Sequence, residues 1–171
     1  MTICYFGDYD PTYSRNRVMT RGLMLNGARV IECNVRKKGI GKYFNLWKRH
    51  RSLPGAYDVL VVGYSDTRWM VLFARLISGK PVVWDAFYSL YDSWVFDRKL
   101  VSPNSLQAKY YWFQDWLACT LAQKIVLDTN EHISYFVKTF RVDKKKCTRV
   151  LVGTDDTVFS PHSLPLNSKK N

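Results

Sequence analysis

The chain has 171 residues, 47% of them hydrophobic, and carries 26 Lys and Arg against 14 Asp and Glu, a formal charge of +12. This length and apolar share exclude an intrinsically disordered chain and set a single domain with a core that stands without staples. The positive excess favours a polyanionic partner, whether anionic lipid, nucleic acid or nucleotide phosphate, and charge alone does not choose among them.

From the N-terminus, Ile3 to Gly7 is a short apolar strand ending in glycine, the opening expected of an α/β domain. The polar loop from Asp8 to Asn16 lacks both Gly-x-Gly-x-x-Gly and a P-loop, so the dinucleotide and NTP fingerprints fail there. From Arg17 the pattern turns helical, with Val18, Leu23 and Leu25 among the apolar positions, and Asn26-Gly27 is its stop. The second strand is predicted over residues 30–35. In Lys37 to Pro54, Ile40, Tyr43, Phe44 and Trp47 share one helical face, surrounded by Lys37, Lys38, Lys42, Lys48, Arg49 and Arg51. Such a stripe suits a helix lying in an anionic membrane interface through Lys42, Trp47, Lys48 and Arg49, and it equally suits a crossover helix packed on a sheet.

Residues 57–89 read as one complete βαβ unit. A Val/Leu run over 58–63, the turn Tyr64-Ser65-Asp66, a helix marked by Met70, Phe73, Ala74 and Ile77, and a strand over 81–84 follow in order. A connection of this length sets the two strands parallel with a right-handed crossover. The segment from Ala86 to Leu100 is rich in rings and acids; Ser102-Pro103 reads as a helix start, and Leu106, Tyr110, Phe113, Leu117 and Leu121 mark a long amphipathic helix to about Ala122. Its further rings Tyr111, Trp112 and Trp116 are more than one buried stripe holds. A fifth strand over 124–128, a helix opened by Thr129-Asn130-Glu131 and running to Phe140, a solvated turn at Lys144-Lys145-Lys146 and a sixth strand over 148–152 complete the pattern. Residues 162–171 are polar and read as a linker or tail. The predicted fold is a Rossmann-like, doubly wound parallel sheet of about six strands in one domain over residues 1–161.

Cys4, Cys33, Cys119 and Cys147 form no Cys-x-x-Cys pair and lie among apolar runs, which reads as buried free thiols in a reducing compartment. His50, His132 and His162 share no ligand spacing, so neither a metal nor a cofactor is expected. Met1-Thr2-Ile3 enters a strand directly, and no apolar run approaches the roughly 18 residues of a membrane span. The chain is therefore expected in the cytoplasm or peripherally on the inner face of a membrane.

Ligands of doubly wound sheets sit at the carboxyl ends of the strands. Asp8, Asp85, Asp128 with Thr129, and Asp155 with Asp156 fall there, and can serve as base, as acceptor for a polyhydroxyl ligand or as helix N-cap. The cap reading fits Asp128-Thr129 best. Asp85, followed by Phe87, Tyr88, Tyr91 and Trp94, is the candidate catalytic residue, with Tyr88, Asp128 and Thr129 as acceptor contacts. Ser14, Arg15 and Asn16 either offer amides and a guanidinium to an anion at the first helix or form a simple capping segment.

Residues Val152-Gly153-Thr154-Asp155-Asp156-Thr157-Val158-Phe159-Ser160-Pro161 resemble the N-G-V-D-x-x-x-F-x-P signature that closes the N-terminal domain of family-4, GT-B fold glycosyltransferases. Leu25-Asn26-Gly27-Ala28-Arg29-Val30, Tyr57-Asp58-Val59, Lys80-Pro81-Val82-Val83 and the strand ending Asp128-Thr129 agree in order, so the resemblance covers nearly the whole chain. It implies the acceptor side of a retaining, nucleotide-sugar-dependent transferase, moving a hexosyl group to a lipid-linked, glycan or other hydroxyl acceptor. A C-terminal donor-binding domain, in the same chain or a second one, is the implied partner, and the isolated chain is expected to be inactive. The nucleotide-sugar is then a substrate, not a cofactor. Asp85 stands where the family often has histidine, and Ser14-Arg15-Asn16 where it often has paired glycines. The alternatives are a noncatalytic membrane- or partner-binding subunit of a bipartite transferase and, as a weaker reading because no recognised RNA or DNA module appears, a nucleic-acid binder.

Overall fold

The computed structural model describes residues 1–154 apart from Lys38 and Asp66. Six strands pair into one sheet in the order β2-β1-β3-β4-β5-β6, every pair parallel. The strands are β1 (Thr2–Gly7), β2 (Arg29–Asn34), β3 (Val59–Val62), β4 (Val82–Phe87), β5 (Lys124–Leu127) and β6 (Cys147–Arg149). Each predicted strand is present within a few residues; β1, β3, β4 and β5 are apolar runs largely buried in the sheet, whereas β2 and β6 at its edges carry exposed polar positions. The sixth is the shortest: beyond Arg149, Val150 N–H still donates to Leu127 O at 2.8 Å, and Leu151 and Val152 lie outside the ladder.

The helices are α1 (Ser14–Leu25), α2 (Gly41–Arg51), α3 (Trp69–Ile77), a short α4 (Leu90–Asp92) that continues as a π-helical turn (Ser93–Asp97), α5 (Leu106–Leu121) and α6 (Asn130–Phe140). Their distribution follows from chain direction. The step from β1 to β2 moves one way along the sheet and every later step moves the other, so right-handed crossovers place α1 alone on one face. There Met19 and Leu23 pack on Ile3, Tyr5 and Val61. Leu46, Met70, Ala118 and Phe136 bring α2, α3, α5 and α6 onto Phe6, Leu60, Trp84 and Ile125 of the opposite face.

The structure differs from the local expectations at five places. Helix α1 starts at Ser14, not Arg17. Helix α5 starts at Leu106, where Ser105 Oγ accepts from Ala108 N–H at 3.1 Å; Ser102 O is occupied in the preceding turn by Ser105 N–H, so Ser102-Pro103 opens a turn and not the helix. The turns over Leu90–Asp97 were not foreseen. Most consequential, the face of α5 that is buried carries Ala108, Gln114, Asp115, Ala118 and Cys119, while Leu106, Tyr110 and Phe113 face outward. Small side chains let α5 approach the sheet, and Asp115 has a cation to meet there. On α2 the predicted stripe is split: Tyr43 packs on Phe73 and Leu46 is fully buried, whereas Ile40, Phe44 and Trp47 are exposed.

Gly63, closing β3, is required by a close approach: a Cβ there would lie 2.6 Å from Tyr5 Cε1. That ring is fixed in turn, because Tyr5 Oη donates to Asn16 Oδ1 at 3.0 Å. At the opposite end of the sheet, His50 Nε2 hydrogen bonds with Tyr57 Oη at 2.6 Å, and Tyr57 Oη with Ser78 Oγ at 2.8 Å. Burial lowers the His50 pKa below its ordinary 6.5, so the folded state keeps the ring neutral. Below the ordinary value the unfolded chain takes up the proton first, and stability falls as pH drops through the lowered folded value. The urea midpoint is therefore expected to fall more between about pH 7.5 and about pH 5.5 in the native protein than in His50→Gln. Equal falls would refute the assignment.

Candidate functional site at the carboxyl ends of the strands

Strand β4 ends irregularly. Its register with β5 shifts between Asp85 and Phe87, Phe87 has φ of +62°, and Tyr88 N–H donates back to Ala86 O at 2.7 Å. A three-residue turn with a bulky residue at positive φ is a strained conformation, of a kind found where a backbone is bent to aim side chains. Asp85 lies on the α1 side by strand alternation, opposite Trp84, and the turn after it carries Tyr88 and Ser89 toward the other side.

On the α1 side, Asp85 is buried and faces Arg15. Arg15 Nη2 donates to Asp85 Oδ1 at 2.8 Å, and Nε reaches Oδ1 at 3.2 Å and Oδ2 at 3.1 Å. Arg15 Nη1 donates to Val150 O at 3.0 Å, and the guanidinium lies 5.1 Å from the centre of the Phe87 ring. Burial pushes the Asp85 carboxyl up from its ordinary value, and Arg15 pulls against that. Asn16 is equally committed: its Nδ2 donates to Asp10 O and to Tyr64 O, both at 3.0 Å. Of the Ser14-Arg15-Asn16 set, only Ser14 stands exposed at the helix start.

On the other side a second buried ion pair holds the segment after β4. Arg68 Nε donates to Asp115 Oδ1 at 3.2 Å, Nη1 to Ser65 O at 2.9 Å and Nη2 to Tyr88 O at 2.8 Å. Asp115 Oδ2 accepts from Ser89 Oγ at 2.8 Å and from Tyr91 N–H at 3.0 Å. Ser89 Oγ also accepts from Asp92 N–H at 3.0 Å and so caps α4. Burial raises the Asp115 pKa, with Arg68 the first influence against it.

These anchors leave a cavity of about 450 Å³ lined by Tyr88, Ser89, Asp92, Asp97, Arg98 and His132, with Ser93 between. Behind it, His132 Nδ1 lies 2.5 Å from Asp128 Oδ1, and Thr129 Oγ1 accepts from His132 N–H at 3.0 Å as the N-cap of α6. A carboxylate against Nδ1 selects the tautomer protonated there and leaves Nε2 as an acceptor. A second cavity of about 340 Å³ lies beside β1 and β3, between Asp8, Asp10, Tyr13, Arg36 and Tyr64. Lys42 pairs with Asp8, and Arg36 with Asp10 at 3.1 Å. Asp8 Oδ1 is buried and, among the described residues, has no hydrogen-bond partner. Tyr64 Oη donates to Tyr88 Oη at 2.8 Å, linking one residue of each cavity; burial, then this bond, raises the Tyr64 phenol well above its ordinary pKa.

Of the residues singled out from the sequence, Tyr88 lines the first cavity, Asp128 and Thr129 reach it only through His132, Asn16 lines the second cavity, and Asp85 with Arg15 is a buried pair on the α1 side. Lys42 is drawn to Asp8, away from Trp47, Lys48 and Arg49 on the outside of α2. Asp155 and Asp156, and the rest of the motif from there to Pro161, lie outside the described residues. Sequence reasoning missed Arg68, Asp115 and His132, and marked Asp92 and Asp97 only as part of the acid-rich stretch from Ala86 to Leu100. Two signals were available: a histidine four residues after Asp128 across a Thr cap, and a lone acid in an otherwise uncharged stretch of α5. Among the described residues no three His, Cys, Asp or Glu side chains gather to hold a metal ion. No model of a known protein family matches the chain, and no curated protein is significantly similar to it.

Proposed function

We propose that this domain receives the hydroxyl acceptor of a nucleotide-sugar-dependent glycosyltransferase of GT-B type, the donor being held by a second domain. The observation that carries the reading is the polar cavity at the ends of β4 and β5. Asp92 and Asp97 offer four carboxylate oxygens to ligand hydroxyls, Tyr88 offers a ring face, and His132, oriented by Asp128, offers Nε2. A side chain placed at the carboxyl ends of a doubly wound sheet and oriented by a carboxylate is suited to hold an acceptor hydroxyl and draw on its proton. Glycosyl transfer also requires the developing positive centre of the sugar and the diphosphate leaving group to be stabilised from fixed positions. Arg15 and Arg68 are committed to Asp85 and Asp115, and Arg98, in the cavity lining, is an exposed side chain 5.8 Å from the Trp94 ring centre and, among the described residues, is not held by a carboxylate. That work falls to the donor domain.

The test is calorimetric. A panel of nucleotide-sugars titrated into the isolated chain is expected to give no stoichiometric heat; tight one-to-one binding would overturn the reading. With a donor domain joined after Pro161, transfer is expected, and His132→Ala is expected to lower kcat/KM for the acceptor by roughly a hundredfold. The second reading, a noncatalytic subunit of a bipartite transferase, predicts that the joined protein stays inactive with every donor of the panel.

A further inference from the structure

We infer that the outer surface of α2, α3 and α5 is a docking face for an anionic lipid bilayer. The three helices form one continuous layer: Tyr43 of α2 packs on Phe73 of α3, and Trp69 Nε1 of α3 donates to Tyr110 Oη of α5 at 2.9 Å. Aliphatic and aromatic side chains project from every one of them. Ile40 at the start of α2 is 86% exposed, Phe44 65%, Leu76 of α3 74% and Leu106 of α5 83%. Beside them, Trp69, Phe113, Trp116 and Trp112 form a row of rings with centres 6.4, 5.8 and 6.1 Å apart in turn.

The charge on this layer has one sign. Across α2, α3 and α5 the sole carboxylate is Asp115, which is fully buried on Arg68. Lys48, Arg49, Arg51 and Lys109 are exposed, and the Arg51 guanidinium lies over the Trp47 ring, 5.1 Å from its centre. Rings that tolerate both water and hydrocarbon, aliphatic tips and exposed bases, with no acid among them, match the layered chemistry of a headgroup region. A nucleic acid would use the bases and rings but has nothing for Ile40, Leu76 and Leu106. Among the described residues no helix is long and apolar enough to cross a membrane, so the contact is one of lying on the surface. The proposal does not depend on the acceptor cavity, which lies at the carboxyl ends of the strands.

The experiment is co-sedimentation of the full chain with vesicles of phosphatidylcholine, with and without phosphatidylglycerol, at low and high salt. Binding is expected only to the anionic vesicles and is expected to weaken with salt. Each base near such a surface is worth about fivefold in partition, so Lys48→Glu with Arg49→Glu should reduce binding at least about 25-fold. Leu76→Ser with Leu106→Ser, at exposed sites that leave the circular dichroism unchanged, is expected to reduce it as well. Three results would overturn the inference: no sedimentation with anionic vesicles, binding indifferent to the Leu76 and Leu106 changes, or a native dimer that those changes convert to a monomer. The last would make the face a protein interface.

Discussion

Asp115→Ala is expected to be among the most destabilising single substitutions in this domain. It removes the one carboxylate that takes Arg68, Ser89 Oγ and Tyr91 N–H together and leaves a buried guanidinium facing an empty space. Breaking a buried pair from one side costs about 3–5 kcal/mol, because the remaining charge stays desolvated. A domain of this size has only about 5–15 kcal/mol to lose. Asp115→Asn keeps an acceptor for Ser89 and Tyr91 and should cost less, so the order Ala worse than Asn worse than native in urea midpoint separates the charge from the hydrogen bonds. Because Arg68 also donates to Tyr88 O, the backbone bordering the cavity should loosen first. Amide exchange at Tyr88 to Ser93 is expected to quicken in both variants, and protection there equal to the native protein would show that the pair does not hold this segment.

Arg15→Met is the counterpart on the other side of the sheet. Asp85 then keeps its burial and loses the cation that opposes it, so its pKa, already above 3.8, rises further. The sign follows: a carboxyl whose folded pKa exceeds its unfolded one contributes stability below the unfolded value, and this is lost as pH rises through the folded value. The variant should therefore be less stable than the native protein by about 3–5 kcal/mol at neutral pH and recover much of the gap in mild acid. Adding Asp85→Leu to Arg15→Met should close most of the neutral-pH gap, leaving about 1 kcal/mol for the bond to Val150 O. A variant with a pH-independent deficit, or one not rescued by Asp85→Leu, would show that Arg15 acts through Val150 O and Phe87 and not through the carboxylate.

Both arginines show why the site was less legible than the scaffold. The strands are local statements: short runs that are mostly apolar in β1, β3, β4 and β5 allow few structures, and right-handed crossovers then order them. The dyad of Asp128 and His132 is local too, spanning one helical turn. The pairs Arg15 with Asp85 and Arg68 with Asp115 join residues 70 and 47 positions apart, and no spacing rule reaches that far.

The sequence by itself determined that this chain is a parallel α/β domain, where its strands lie, and that acids gather at their carboxyl ends, since these depend on burial and periodicity read within a window of a few residues. For α3 the periodicity already marked the inward face, with Met70, Phe73, Ala74 and Ile77 on the core, whereas only the tertiary structure decided which side of α5 and of α2 turns inward. Ala108, Ala118 and Cys119 were buried in preference to Leu106, Tyr110 and Phe113 because Asp115 must meet Arg68 beneath them. An unpaired buried charge costs more than several exposed rings contribute, so the rings of α5 were left facing outward.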